Sequence, residues 1–376
     1  MTFPVFKKNQ YISLCLFSAF LLLILLFFSF QKNDAEYFNN QIWQPLTDKS
    51  VTASSARFID LKINNSTLYI AFQDFAAGGR ASLMFFDGNT WQYMGKKGFS
   101  KGTATSICLA FDETTPYIAY IDEANGKKLT VMHYKNNNWE TVGCEGFTPG
   151  AVNYVKLIIF NKTPIVAFQD IKNHGKACVY KFNGKTWEPL GSRFISDDLA
   201  IYLDIACCKD TIYLAFSDKS TSGKLTVMKF DGNIWEPVVN KGFSSGSARY
   251  ISLKVFNDEP YVSFADGAFE DKLTVLKYSK GNWEYTGSAG YSKGAIYKSL
   301  LIADFSNIYS AFIDQENGFL PFVYILDDDS WKPLTKSAIT DSQVKDISFC
   351  MDENSYYIAY IDQLKYDRLF VKTLKR

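Results

Sequence analysis

The tryptophans of this chain recur at a fixed interval of 48 residues, and this spacing constrains the fold more than any other feature. They stand at Trp43, Trp91, Trp139, Trp187, Trp235, Trp283 and Trp331. An aspartate series keeps the same step, at Asp74, Asp122, Asp170, Asp218, Asp266, Asp314 and Asp362. A hydroxyl series does so as well, at Thr52, Ser100, Thr148, Ser196, Ser244, Ser292 and Thr340. Seven copies without an insertion indicate one domain of repeats, although 376 residues would otherwise suggest two or three domains.

Each repeat has the pattern of four short strands. In the fifth repeat, the segments 248–256, 260–266 and 272–278 are rich in β-branched and aromatic residues, and a fourth segment begins at Trp283. Asp-Gly or Asn-Gly pairs, such as Asp87 with Gly88, precede several tryptophans and supply the positive-φ residues of a tight hairpin. No segment after residue 31 keeps a helical period, so the sequence predicts an all-β chain.

The two ends of the repeat array complement each other. After Trp331 the next tryptophan of the series would fall beyond Arg376, so the last repeat lacks its fourth strand. Near the other end, IWQPLT around Trp43 is a fourth strand without the preceding three. Pairing the two fragments closes a ring and removes the exposed strand edges of an open stack. Four-stranded repeats of this length therefore predict an all-β, seven-bladed β-propeller over residues 42–376, closed by an N-terminal outer strand.

The repeat phrase also carries a family resemblance. LTVMKF, then Asp-Gly before WEPV, then GFS-x-G and YIAF-x-D, resembles the tandem propeller repeats common in bacterial exported or membrane-anchored proteins. The resemblance covers nearly all of residues 42–376. It implies the fold but no single activity, because propellers serve binding, catalysis and scaffolding alike.

The N-terminal region predicts a membrane anchor. Residues 11–30 form a run of twenty residues without a charge, which is long enough to cross a bilayer as a helix. Lys7 and Lys8 precede the run, so residues 1–10 are expected in the cytoplasm and the propeller on the extracytoplasmic side, after a linker over residues 31–41. The alternative is a cleaved signal peptide and a secreted protein, although Phe28, Ser29 and Phe30 form a poor cleavage site.

Charge and motif content exclude several functional classes. Lys and Arg number 40 and Asp and Glu 39, a balance that argues against a nucleic-acid partner. The sequence shows no calcium loop, phosphate-binding Gly-rich loop or metal-ligand cluster, so neither a metal nor a cofactor is expected. His133 and His174 are the only histidines, and neither lies beside a nucleophile motif. An enzyme is therefore less expected than a binding protein.

Positions that are the same in every repeat are expected to be structural. The tryptophans should pack between blades. The aspartates end the second strand of each unit, and in most units a cation follows six residues later, as Lys128 follows Asp122. Such a pair would face across a hairpin loop as a surface ion pair, while the aspartate would also accept hydrogen bonds from loop amides.

Two sets of variable positions are candidate binding residues. The first consists of aromatic residues in the loops between the second and third strands, at Phe75, Phe269, Phe319 and Tyr366. They belong to neighbouring blades and would form a contact surface on one rim, unless the rings fold onto their own loops. The second set lies where the inner strands enter the central opening, at Arg57, Asp60, Tyr154, Lys156, Tyr202, Asp204, Arg249, Tyr250, Tyr297, Lys298, Lys345 and Asp346. These residues would hydrogen-bond a polar ligand or line a water-filled channel.

The main functional hypothesis is recognition of a protein or carbohydrate partner through the face that bears Phe75, Phe269, Phe319 and Tyr366. A first alternative is a glycan hydrolase or lyase that uses acids such as Asp60, Asp204 and Asp346. A second alternative is an assembly scaffold in an envelope complex, which the membrane tether and the near-neutral charge suggest.

Overall fold

A computed structural model of the protein describes residues 41–376. The predicted cytoplasmic tail at 1–10, the membrane anchor at 11–30 and all but the last residue of the predicted linker at 31–41 lie outside the described residues. Over residues 41–376 no helix is long and apolar enough to cross a membrane.

The described residues form seven antiparallel sheets of four strands each. Blade 1 contains β2 (Ala56–Asn64), β3 (Thr67–Asp74), β4 (Arg80–Phe86) and β5 (Trp91–Tyr93), and blade 2 contains β6 (Ala104–Asp112), β7 (Thr115–Asp122), β8 (Lys128–Lys135) and β9 (Asn138–Thr141). Blade 3 contains β10 (Val152–Phe160), β11 (Thr163–Asp170), β12 (Lys176–Phe182) and β13 (Trp187–Pro189), blade 4 contains β14 (Ala200–Cys208), β15 (Thr211–Asp218), β16 (Lys224–Phe230) and β17 (Trp235–Pro237), and blade 5 contains β18 (Ala248–Phe256), β19 (Glu259–Asp266), β20 (Lys272–Ser279) and β21 (Asn282–Tyr285). Blade 6 contains β22 (Ile296–Ala303), β23 (Ile308–Asp314), β24 (Leu320–Asp327) and β25 (Ser330–Pro333), and blade 7 contains β26 (Val344–Met351), β27 (Ser355–Asp362), β28 (Arg368–Lys375) and the N-terminal β1 (Gln44–Pro45). Short 3-10 turns follow the second strand of blades 1 to 5, at Phe75–Ala77, Glu123–Asn125, Ile171–Asn173, Lys219–Thr221 and Gly267–Phe269.

The sheets are arranged as the blades of a ring, which confirms the predicted seven-bladed β-propeller. The first strand of every blade lines a central channel, and each inner strand packs against the inner strand of the next blade, including β26 against β2. Because successive strands alternate in direction, the loops from second to third and from fourth to first strands open on one face, here called the upper face. The loops from first to second and from third to fourth strands open on the lower face.

The ring is closed by the N-terminal strand, as predicted. Gln44 lies opposite Thr373, and Pro45 lies opposite Lys372, so β1 is the fourth strand of blade 7. The amide of Leu46 continues this pairing with a 2.9 Å hydrogen bond to the carbonyl oxygen of Val371. Trp43 is only 3% exposed and belongs to the apolar core of blades 6 and 7.

The tryptophans pack between blades, as expected. Phe147, which ends blade 2, stacks on Trp187 of blade 3 with ring centroids 4.6 Å apart, and Phe243 stacks on Trp283 at 4.5 Å in the same way. The Trp187 Nε1 atom also donates a 2.8 Å hydrogen bond to the carbonyl oxygen of Val142 in blade 2. Each repeated tryptophan of this kind therefore ties one blade to the blade before it.

The repeated aspartates have a different role from the expected surface ion pair. Asp122 lies opposite Lys128 in the strand register, but its side chain is fully buried. Its carboxylate accepts hydrogen bonds from the Ala124 amide at 3.1 Å, from Asn125 Nδ2 at 2.7 Å and from Thr130 Oγ1 at 2.9 Å. For Asp122 the ion-pair interpretation is therefore wrong, because burial favours hydrogen-bond donors over a solvated cation, and its predicted role as an acceptor of loop amides is confirmed. Asp170 is an exception, since its side chain accepts no capping hydrogen bond from the backbone of the turn Ile171–Asn173.

Candidate functional site

A β-bulge marks the upper end of each inner strand. In blade 1, Arg57 pairs with Gln73 and then Asp60 pairs with Ala71, so one extra residue is inserted on β2. The bulge in blades 1, 3, 4 and 5 contains an aromatic residue with a positive φ, at Phe58 (52°), Tyr154 (49°), Tyr202 (55°) and Tyr250 (50°). This conformation is strained for bulky L-residues, and bulges commonly turn a side chain away from the regular strand direction.

Four tyrosines and one phenylalanine form a continuous row at the channel mouth. Ring centroids are 5.5 Å apart for Tyr154 and Tyr202, 5.1 Å for Tyr202 and Tyr250, and 5.4 Å for Tyr250 and Tyr297. Phe319, in the upper loop of blade 6, extends the row with an edge-to-face contact of 6.2 Å to Tyr297. Tyr297 is 43% exposed and Phe319 38% exposed. These five residues, the aromatic row, span blades 3 to 6.

The row contains members of both predicted sets, whereas the other loop aromatics do not join it. Phe75 lies under the guanidinium of Arg57, 5.5 Å from the ring centroid, and Phe269 makes an edge contact with Tyr285. Tyr366 is 82% exposed beside Arg368. The predicted four-residue rim is therefore divided into separate local contacts, and only Phe319 is part of a larger aromatic surface.

Several charged residues near the mouth form ion pairs, whereas Arg57 lies over the Phe75 ring. Arg249 binds Asp271 at 2.9 Å, and Lys345 binds Asp367 at 2.7 Å. Lys298 at the start of β22 binds Asp346 on β26 of the next blade. The charged side chains at the mouth are thus engaged with carboxylates or, for Arg57, with an aromatic ring, while the residues of the aromatic row mainly contact one another.

Deeper in the channel, the predicted acids connect adjacent blades. One oxygen of Asp60 accepts a 2.8 Å hydrogen bond from the Leu109 amide on the next inner strand, and the other lies 3.2 Å from Lys62 Nζ. Asp204 repeats this arrangement, with the Leu253 amide at 2.8 Å and Lys156 Nζ at 3.1 Å. Both carboxylate oxygens are thus used in structural contacts, and this geometry does not favour a general acid or a nucleophile.

Asp346 is used in the same way as the other two channel acids. It accepts a 3.3 Å hydrogen bond from the Ile59 amide of blade 1, in addition to its ion pair with Lys298. The three acids of the hydrolase hypothesis therefore all act as acceptors between neighbouring inner strands.

The channel holds a cavity of about 560 Å³ lined by all seven inner strands. Attraction to Asp60 raises the pKa of Lys62. Burial, the largest single effect, would lower the pKa of Lys156, but attraction to Asp204 and Cys108, the hydrogen bond to Asp204 and attraction to Asp60 together raise it. Burial raises the pKa of the Cys108 thiol to about 12, so this cysteine is protonated at neutral pH. Across residues 41–376, no group of three or more His, Cys, Asp or Glu side chains is arranged to hold a metal ion.

Sequence reasoning missed several exposed residues of the upper face. Ile171 lies in the upper loop of blade 3, and Leu364 lies two residues before Tyr366 in the upper loop of blade 7. Phe58 occupies the bulge position of blade 1 and lines the channel. Its alignment with Tyr154, Tyr202 and Tyr250 in the repeat was the available signal.

Comparisons with known proteins identify the fold. A scan against protein-family models and a search of curated proteins found no match. Among solved structures, the SapL1 lectin in complex with alpha methyl fucoside is 14% identical, with 76% of this chain and 97% of that chain covered and a TM-score of 0.50. An Aleuria aurantia lectin mutant in complex with Fucalpha1-6GlcNAc is also 14% identical, with coverages of 77% and 97% and a TM-score of 0.50.

A third solved structure, that of YjhT, is 11% identical and has a TM-score of 0.51, with 77% of this chain and 99% of that chain covered. The chain has a β-propeller fold. At identities this low the likeness carries the fold alone.

Proposed function

We propose that this chain is a membrane-anchored, extracytoplasmic recognition module that binds a carbohydrate at the aromatic row. The observation that carries the proposal is the row itself, in which four tyrosines and Phe319 make consecutive ring contacts around the channel mouth. The membrane anchor and the extracytoplasmic side are supported by the apolar run at 11–30 and by Lys7 and Lys8.

The chemistry of tyrosine suits a sugar ligand. Its ring offers an apolar face to the C–H groups of a pyranose, and its hydroxyl forms hydrogen bonds with the sugar hydroxyls. Only two χ angles are fixed on binding, so the entropy cost of ordering each tyrosine is small. The positive-φ bulges further restrict Tyr154, Tyr202 and Tyr250 before a ligand arrives.

The shared fold gives secondary support. The SapL1 lectin and the Aleuria aurantia lectin carry fucose-containing ligands on a propeller, so this architecture is compatible with sugar binding. The hydrolase alternative receives no comparable support, because Asp60, Asp204 and Asp346 are engaged between blades.

A glycan-array screen with the full-length chain in detergent tests the proposal. For the tightest glycan found, Tyr202→Ala and Tyr250→Ala should each weaken binding about tenfold, since one stacking contact contributes about 1–1.5 kcal/mol. Tyr202→Phe, which keeps the ring, should retain most of the affinity. Intact cells that produce the chain should bind the same glycan from outside.

The matched control is Phe305→Ala, because Phe305 is 96% exposed in the loop between β22 and β23 on the lower face. Its affinity should equal that of the unchanged protein, and circular dichroism should show the same fold for every variant. The proposal is wrong if no glycan binds, or if Phe305→Ala weakens binding as much as the tyrosine variants do.

A further inference from the structure

Four lysines line the channel cavity, and three of them have a carboxylate partner. Lys62 pairs with Asp60, Lys156 with Asp204, and Lys298 with Asp346. The fourth, Lys254 on β18, is partly buried and forms no hydrogen bond or ion pair with the other residues of the described range 41–376. Four ammonium groups therefore face three carboxylates, and the unmatched positive charge lies at Lys254.

Lys254 and Lys62 lie at the same level of the channel. They occupy equivalent positions of the repeat on the inner strands of blades 5 and 1, which are on opposite sides of the ring. The other five blades contribute residues without a carboxylate at this level: Ala110, Ile158, Ala206, Ile302 and Cys350. No residue at this level of the described channel carries a carboxylate, and the carboxylate that still attracts Lys254, Asp204, lies nearer the mouth and is already paired with Lys156.

The electrostatics of this level favour an anion. Burial lowers the pKa of Lys254, and the positive charge of Lys62 lowers it further. A bound anion would reverse both effects, because it would attract the two ammonium groups and replace their lost hydration. The cavity of about 560 Å³ has room for an oxyanion together with several waters.

We propose that the channel contains a binding site for a small oxyanion, of the phosphate or sulfate class, between the ammonium groups of Lys254 and Lys62. This site is separate from the aromatic row. The bulge on β18 ends before Ser252, and Lys254 lies two residues deeper, about 7 Å further along the strand. The inference therefore does not depend on the proposed glycan site.

Isothermal titration of the full-length chain with inorganic phosphate and with sulfate tests the site. We expect one anion per chain, and at least a roughly tenfold loss of affinity in Lys254→Met, because that change removes a charge-assisted contact. Lys185→Met is the matched control, since Lys185 is exposed at the outer hairpin of blade 3 and carries the same charge. Its affinity should be unchanged.

Thermal melting gives an independent measurement. Without added anion, Lys254→Met should melt at the same temperature as the unchanged protein or higher, because the unmatched charge is gone. Phosphate should raise the melting temperature of the unchanged protein and of Lys185→Met but not that of Lys254→Met.

A crystal structure with selenate, whose anomalous signal locates the ion, should show it between Lys62 and Lys254. The proposal is overturned if neither anion binds, if Lys254→Met binds them as tightly as the unchanged protein, or if selenate occupies only surface lysines.

Discussion

A disulfide placed across the closure of the ring would test whether β1 holds the propeller shut. Gln44 on β1 and Thr373 on β28 lie directly opposite each other in an antiparallel pair. Such residues have Cα atoms about 4.5–5.5 Å apart, which is within the range that a disulfide requires. Gln44 is exposed and Thr373 only partly buried, so Gln44→Cys and Thr373→Cys should each be tolerated.

The expected stabilisation is large because the cross-link closes almost the whole propeller. For a loop of roughly 330 residues the chain-entropy relation gives about 5–6 kcal/mol, and strain in the folded state subtracts from this value. We therefore expect the oxidised double variant to exceed its reduced form by about 2–5 kcal/mol in free energy of unfolding.

Urea unfolding followed by circular dichroism, with and without dithiothreitol, measures this difference. Peptide mapping must show that residues 44 and 373 are joined, since the chain contains seven other cysteines. The two single variants are the controls, and their unfolding curves should not respond to oxidation. The closure would be refuted if the bond failed to form in a folded double variant, or if its oxidised and reduced curves coincided.

Two further predictions concern single side chains. Asp122→Ala should lower the free energy of unfolding by about 2–4 kcal/mol in urea, because it leaves the buried Thr130 hydroxyl and the partly buried Ala124 amide without an acceptor. A loss below about 1 kcal/mol would contradict this structural role. Burial lowers the pKa of His133 although Glu140 lies 3.6 Å away, so the folded state binds fewer protons than the unfolded state, and stability should fall as pH drops below the usual histidine pKa of about 6.5. In urea unfolding between pH 7.5 and 5, His133→Gln should reduce this pH-dependent loss of stability, whereas His174→Gln, in an exposed loop, should not. Equal pH profiles of stability for both variants and the unchanged protein would contradict the assignment of the loss to His133.

Most of the fold was predictable because every repeat makes the same packing contacts with its neighbouring blade. A tryptophan that returns every 48 residues meets the same neighbouring blade each time, as Trp187 meets Phe147 and Val142. The missing fourth strand and the unmatched segment at Trp43 were visible in the chain ends, and β1 pairs with β28 as expected. Strand boundaries were also close, since the first strand predicted at 248–256 is Ala248–Phe256 in the structure.

The candidate site was less predictable, for two physical reasons. A strand pattern assumes strict alternation of side chains, and the bulges that reorient Tyr154, Tyr202 and Tyr250 break that alternation without a Gly or Pro to mark them. Contacts such as that between Tyr202 and Tyr250 also depend on how closely the ring brings neighbouring blades together. The tyrosines could be predicted individually as candidate binding residues, but the distances between them could not be predicted from the sequence.

Variation among repeats did not by itself identify functional residues. Asp60, Asp204, Ser252 and Ser348 occupy one level of the channel and differ in charge, yet each accepts a hydrogen bond from the inner strand of the next blade. Different side chains can therefore perform one structural task, and a variable position is not automatically a binding position.

A better criterion for a binding position is that its residue varies among the repeats and also lacks the structural partner found at the equivalent positions. Lys254 meets it, because its equivalent Lys62 is paired with Asp60 while Lys254 itself forms no ion pair within the described residues. The aromatic row meets it in another way, because its rings contact one another at the mouth while Arg249 and Lys345 beside them are held in ion pairs. The aromatic row and the level of Lys254 are therefore the two parts of the channel that closure of a seven-bladed ring does not explain.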